Sequence, residues 1–200
     1  MQALFGPAIS LMNRLRYRSK FLLLGLATSV VMLVLLFNVF VSLSREIETS
    51  QQELSGLQML KPANRMVQFM QQHRGLSSGV LNGNEAMKDK RAAKEKEVFD
   101  AVNATDAAIS AKLRESASWK KIRDEWSEIQ AQGMSWTPPE NIKRHSQMIR
   151  KVLVFMVDIA DESALTLDPV MDTYYFMDTI VTKMPAVLEP LGITRARGTG

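Results

Sequence analysis

FLLLGLATSVVMLVLLFNVFV, residues 21–41, is a run of 21 residues without a charge, and Asn38 is its one strongly polar side chain. At about 1.5 Å per residue, a helix of that length covers roughly 30 Å, the thickness of bilayer hydrocarbon. A cleaved signal peptide has a shorter apolar region, on the order of 7–15 residues, and ends at a small-residue site. Val41-Ser42-Leu43-Ser44 is a weak version of such a site. The competing reading is a buried core helix, but charge-free runs of about 18 residues or more are read first as spanning. The expectation is a retained transmembrane helix, in contact with membrane lipid.

The flanks orient it. Arg14, Arg16, Arg18 and Lys20 precede the run with no acid among them, whereas Arg45, Glu46 and Glu48 after it are of mixed sign. Positive charge stays on the cytoplasmic side, so residues 1–20 read as a cytoplasmic basic tail and the chain from about 42 as exported. That cluster is also the whole charge excess: the other 21 of 25 basic residues balance 21 acidic ones. Nucleic-acid binding needs cations spread along a groove or face, so DNA and RNA are excluded as partners. No second span follows, since residues 152–159 are too short and are broken by Asp158 and Asp161. The last residues carry neither a polar tail nor a helix stop before the terminal glycines, and the expectation is a chain that continues.

Beyond the span, apolar residues recur at Ile47, Leu54, Leu57, Leu60, Val67, Met70, Leu76 and Val80, at gaps that are sums of threes and fours. Pro62 is expected to kink or divide this helix, and Asn82-Gly83-Asn84 to end it. Unbroken from Val41, the helix would carry Arg74 roughly 50 Å from the membrane. A second helix is predicted from Glu85 to about Leu113, with Phe99, Val102, Ile109 and Leu113 inward. The third runs from Glu115 to about Gln132 on Trp119, Ile122, Trp126 and Ile129. The fourth spans Glu140 to Ser163, started by Thr137 or Pro138, with Ile142, Ile149, Val152, Leu153, Met156 and Ile159 inward. A fifth begins after a cap at Asp168 and runs through Tyr174, Met177, Val181, Met184 and Leu188, with Pro185 and Pro190 as candidate kinks. Period-two alternation is absent. The predicted fold is all-α: an N-terminal transmembrane helix followed by an up-and-down extracytoplasmic helical bundle over residues 42–200.

Chemistry is scarce. There is no cysteine, which excludes disulfides, thiol nucleophiles and cysteine-bound metals. The two histidines, His73 and His145, argue against a histidine-rich metal site. No phosphate loop, zinc motif or nucleophile elbow is present. Asp158, Asp161 and Glu162 read as solvated carboxylates. The expectation is no catalytic residue, no metal and no cofactor.

Two stretches stand out. In Gln71-Gln72-His73-Arg74-Gly75-Leu76-Ser77-Ser78-Gly79, two mid-helix glycines each cost about 1 kcal/mol against alanine. One reading is a small-residue packing seam with Arg74 in solvent. The other is a pocket in which Arg74 presents a donor fork to a planar or oxygen-rich anion and Ser77 or Ser78 adds hydroxyls. In the second stretch, from Asp168 to Asp178, Tyr174 and Asp178 lie four apart on one face and could meet Arg74. Arg195, Arg197 and Gly198 faintly echo Arg74-Gly75.

The basic tail, the uncleaved first span, the Q-x-H-R-G-L-S helix and the later L-D-P…T-Y-Y…D…P…L-G…R-x-R-G resemble the N-terminal half of methyl-accepting chemotaxis proteins. Relatives of these receptors end in a histidine kinase or diguanylate cyclase. The exported helices are similar to sensors of the nitrate/nitrite-sensing type. The resemblance implies a homodimeric receptor of the bacterial inner membrane, with a periplasmic sensor, a helix shift as signal, and a second span, HAMP relay and output domain beyond. It implies an anion held by arginines between long helices, with Arg74 at the matching position and Arg197 at a second. Tyr174 and Asp178 would shape the pocket. The rival is a membrane-anchored helical interaction module without a small-molecule ligand. An exported enzyme has no supporting constellation.

Overall fold

The computed structural model describes residues 6, 10, 13–167 and 171–198. Among these the chain is all-α, with no strand. It divides into two compact units, 1–49 and 50–200.

The first long helix, α1 (Tyr17–Leu81), contains Pro62 without being divided by it. Proline removes one backbone donor, and the helix continues because Ala63, Met66, Val67 and Met70 directly after it are buried in the core. The end of α1 lies where the turn signal puts it. Gly83 takes φ of 94°, and the Asn84 and Gly83 amides donate to the carbonyls of Gly79 and Val80 at 2.9 and 3.0 Å. This double closure needs a left-handed residue, which glycine supplies without steric penalty. In the first unit α1 carries an 18-residue window of mean hydropathy 2.5, none of it buried. By length and composition it is the one helix among the described residues able to cross a membrane.

The second unit continues from the end of α1 through a series of helices, several of them capped by side chains. After a 3₁₀ turn at Glu85–Met87 comes α2 (Lys88–Ala108), then α3 (Ala111–Glu115), α4 (Ala117–Gln132) and α5 (Pro138–Glu162). The predicted second helix thus breaks at Ile109, whose extended backbone lets the Ser110 hydroxyl accept from the Leu113 amide at 3.1 Å. Ser116 caps α4 through Trp119 at 3.2 Å, and Thr137 caps α5 through Glu140 at 3.4 Å. Beyond a 3₁₀ turn at Leu165–Leu167 lie α6 (Met171–Asp178), a π-helical turn (Thr179–Lys183) and α7 (Met184–Gly198). The cap expected at Asp168 lies outside the described residues.

The core gathers Met66, Met70, Trp119, Ile122, Trp126, Ile149, Val152, Phe155 and Ile159. Trp119 stacks on Phe155 at 5.1 Å and donates to Asp106 at 2.7 Å, so its buried ring keeps a partner for its N–H. Phe99, expected in the core, is instead exposed, and so are Ile47, Leu54, Leu57, Tyr174, Met184 and Leu188 of the helical-period patterns. Helical spacing marks a face, but only packing decides which face is covered.

Glycine packing also departs from expectation. Gly75 has nothing within 4 Å of a hypothetical Cβ, and the side chain approaching Gly79 is Met87. The close approach is at Gly56, where a Cβ would overlap Ser163 and come within 2.8 Å of Leu165 Cδ1. Gly56→Ala is therefore expected to destabilise by about 1 kcal/mol net, overpacking outweighing the helix-propensity gain. Gly75→Ala should stabilise by up to about 1 kcal/mol. Thermal unfolding followed by circular dichroism checks the opposite signs.

Candidate functional site

Residues 71–78 of α1 meet side chains of α2, α5 and α7, and most of their buried polar atoms find partners inside the protein, Arg74 Nε and His73 Nε2 excepted. Arg74 is fully buried. Its guanidinium forks onto Glu189 of α7, with one nitrogen paired to Oε1 and the other donating to Oε2 at 3.3 Å. The first nitrogen also donates to Ser146 Oγ at 2.8 Å, and Gln71 donates to Glu189 Oε2 at 2.8 Å. Gly192 makes room: a Cβ there would come within 2.8 Å of Arg74 Nη2. The sequence reading offered Arg74 in solvent or Arg74 open to an anion. It is neither, because a carboxylate of the chain already occupies the fork.

Ser77 and Ser78 diverge. Ser77 Oγ accepts from Arg91 Nε at 3.1 Å. Arg91 pairs with Glu95 at 2.9 Å, and Glu95 Oε2 lies 3.7 Å from His73 Nε2. Behind this sits a buried histidine pair, His73 Nδ1 to His145 Nε2 at 2.9 Å, with His145 Nδ1 2.8 Å from the Asn141 carbonyl. A carbonyl only accepts, so His145 carries its proton on Nδ1 and its Nε2 accepts from His73 Nδ1–H. His73 Nε2 is then a bare lone pair, and it has no hydrogen-bond partner. Burial pushes both imidazoles below their ordinary range, His145 to about 3. Glu95 is held below the ordinary carboxylate range by His73, whose Nε2 would donate to it once protonated, and by the Arg91 charge.

Ser78 faces the other way, donating to the Ala196 carbonyl at 3.1 Å. It lines a cavity of about 520 Å³ between α5 and α7 together with Asn82, Pro138, Pro139, Ile142, Lys143, Ser146, Arg150, Ile193 and Arg197. Three of these are cations. Lys143 is engaged by Glu140 at 3.5 Å. Arg150 and Arg197 are exposed and have no carboxylate partner among the described residues. Two guanidinium groups without counter-charge around one concavity attract an anion, and their planar forks suit flat oxyanions.

No known protein family, curated protein or solved structure matches this chain.

Of the predicted ligand residues, Ser78 and Arg197 share the cavity, and Arg74 reaches its wall through Ser146. Tyr174 and Asp178 do not join them. Tyr174 packs edge-on against Tyr175 at 5.7 Å. Asp178 is taken by Lys183 at 2.6 Å and by Thr182, a local pairing across the π-helical turn. Sequence reasoning missed Glu189, Ser146 and Arg150. Glu189 had a signal, a single acid in the apolar stretch Val187-Leu188-Glu189-Pro190-Leu191, where an unpaired charge is costly. Among the described residues no group of three or more His, Cys, Asp or Glu side chains could hold a metal ion.

Proposed function

We propose that this chain is the membrane anchor and extracytoplasmic sensor of a bacterial inner-membrane signal-transduction receptor of the chemotaxis type. Residues 21–41 cross the bilayer with the basic tail inside, and the helices that follow form an up-and-down bundle that binds a small anion such as nitrate or nitrite. The observation that carries the reading is the cavity holding Arg150 and Arg197, neither with a carboxylate partner among the described residues. Arg74 serves there as a support, its charge balanced by Glu189. The uncovered apolar window of α1 supports the anchor. Since α7 carries both Arg197 and Glu189, an anion drawing Arg197 toward Arg150 would favour one position of α7 over another. A ligand shifts such an equilibrium only by its difference in affinity for the two states.

The test is titration of the chain in lipid nanodiscs with nitrate and nitrite by calorimetry. Binding is expected, weakened at least tenfold in Arg150→Ala and in Arg197→Ala. A folded protein that takes up neither anion would overturn the reading. Protease added to intact spheroplasts should cut beyond residue 42. Protection there would invert the topology.

A second reading, a membrane-anchored interaction module, is favoured by a different observation. Phe176 on α6, Ile180 in the π-helical turn and Met184, Leu188 and Leu191 on α7 recur in steps of three and four and are all exposed. An apolar stripe of this kind marks a binding surface on a soluble domain. Charged substitutions along it that abolish self-association or partner capture, with anion titration silent, would favour this reading over the sensor.

A further inference from the structure

The cation-lined cavity is larger and greasier than a bare inorganic anion requires. A single water's share of liquid volume is about 30 Å³, and nitrite or nitrate, with three or four heavy atoms, needs only a small multiple of that, whereas this cavity holds about 520 Å³. That size falls within the range of about 300–1,000 Å³ at which pockets enclose organic ligands. Its lining also combines charge with hydrocarbon on both walls. On α5, Ile142, Ser146 and Arg150 are four residues apart in turn and so form one stripe, about 12 Å from Ile142 to Arg150. On α7, Ile193 and Arg197 are likewise four apart. The charges without a carboxylate partner among the described residues are those of Arg150 and Arg197, Lys143 being engaged by Glu140, and the hydrocarbon wall is supplied by Ile142, Ile193 and Pro139. The two hydroxyls in the lining already donate elsewhere, Ser78 to the Ala196 carbonyl at 3.1 Å and Ser146 to the Ile142 carbonyl at 2.7 Å. They offer no fresh donors to an all-polar ligand.

We propose that this cavity takes organic carboxylates with a hydrocarbon body, the carboxylate on Arg150 and Arg197 and the carbon chain against Ile142 and Ile193, in preference to nitrate or nitrite. The inference rests on the anion-sensing reading and narrows the ligand class of the same site. A guanidinium fork receives a carboxylate and a nitrate with similar geometry. Discrimination therefore comes from the apolar wall, where each buried methylene adds about fourfold in affinity.

The test is calorimetry on the chain in nanodiscs with nitrate, acetate, propionate and butyrate as probes. Affinity is expected to rise about tenfold or more from acetate to butyrate, with nitrate no tighter than acetate. Ile193→Ala should flatten the series and leave nitrate unchanged, and Arg150→Ala should weaken every probe. The chain-length series needs no variant, so it stands even if Ile193→Ala disturbs packing. Nitrate binding more tightly than butyrate, or affinity independent of chain length, overturns the organic-carboxylate inference and leaves the anion sensor standing. If no probe binds the folded chain, the sensor reading itself fails and this inference with it.

Discussion

Glu189→Ala is expected to lower the stability of the helical region by about 3–5 kcal/mol, because it leaves a buried guanidinium without its counter-charge. For a region of this size the loss corresponds to an apparent melting temperature lower by roughly 10 °C. Arg74 is fully buried, so it cannot recover hydration by a small rotamer change, and its remaining hydrogen-bond partner is the neutral Ser146 hydroxyl. Gln71 loses its acceptor in the same step. Glu189→Gln, which keeps hydrogen-bonding capacity and removes charge, should fall between wild type and alanine. The double variant Arg74→Met with Glu189→Leu should recover most of the loss, since breaking such a pair costs more than replacing both members with apolar groups. Thermal unfolding of the four proteins in nanodiscs provides the check. If Glu189→Ala costs less than 1 kcal/mol and gains nitrate affinity, the guanidinium has turned into the neighbouring cavity. Arg74 would then be an anion ligand after all.

That pair also marks the limit of what could be read from residues alone. The core stripe Trp119, Ile122, Trp126 and Ile129 was legible because four large side chains at helical spacing have no polar alternative face to present. The start of α5 was legible because Thr137 and the two prolines after it are chemically suited to a first turn. The stop at Gly83 followed from the need for a left-handed residue. Pairings far apart in sequence were not legible. Arg74 and Glu189 are separated by 115 positions, and nothing local to either names the other. Tyr174 and Asp178 were placed near Arg74 because spacing puts them on one face, but the π-helical turn after Asp178 brings Lys183 and Thr182 to its carboxylate instead. Arg197 was found through a faint motif echo, whereas Arg150 had no motif at all and emerges only because α5 and α7 enclose one cavity.

The buried histidine pair should make the helical region acid-labile. In the unfolded chain each imidazole takes a proton near pH 6.5. In the folded chain burial holds both below that value, with His145 at about 3. Between those values the unfolded state binds more protons, so stability is fully present above about pH 6.5 and declines as pH falls. The slope approaches about 1.4 kcal/mol per pH unit for each histidine kept neutral, so His145 alone accounts for roughly 2 kcal/mol between pH 6.5 and 4.5. Glu95, itself held low by His73, adds a loss of the same sign below its ordinary range. The order of protonation follows from what faces each ring. His73 presents a bare nitrogen 3.7 Å from Glu95, with Arg91 beyond that carboxylate and the Trp126 ring packed against its side. His145 faces the Asn141 carbonyl and His73, with Arg74 and Arg91 disfavouring a charge on it. The first proton therefore goes to His73, where Glu95 can pair with it, and the resulting charge makes a second on His145 harder. Urea unfolding at pH 7.5 and pH 5.0 should show a lower midpoint in acid, and His145→Gln should reduce the difference. A stability independent of pH across that interval would mean that the two imidazoles are not held as a neutral pair.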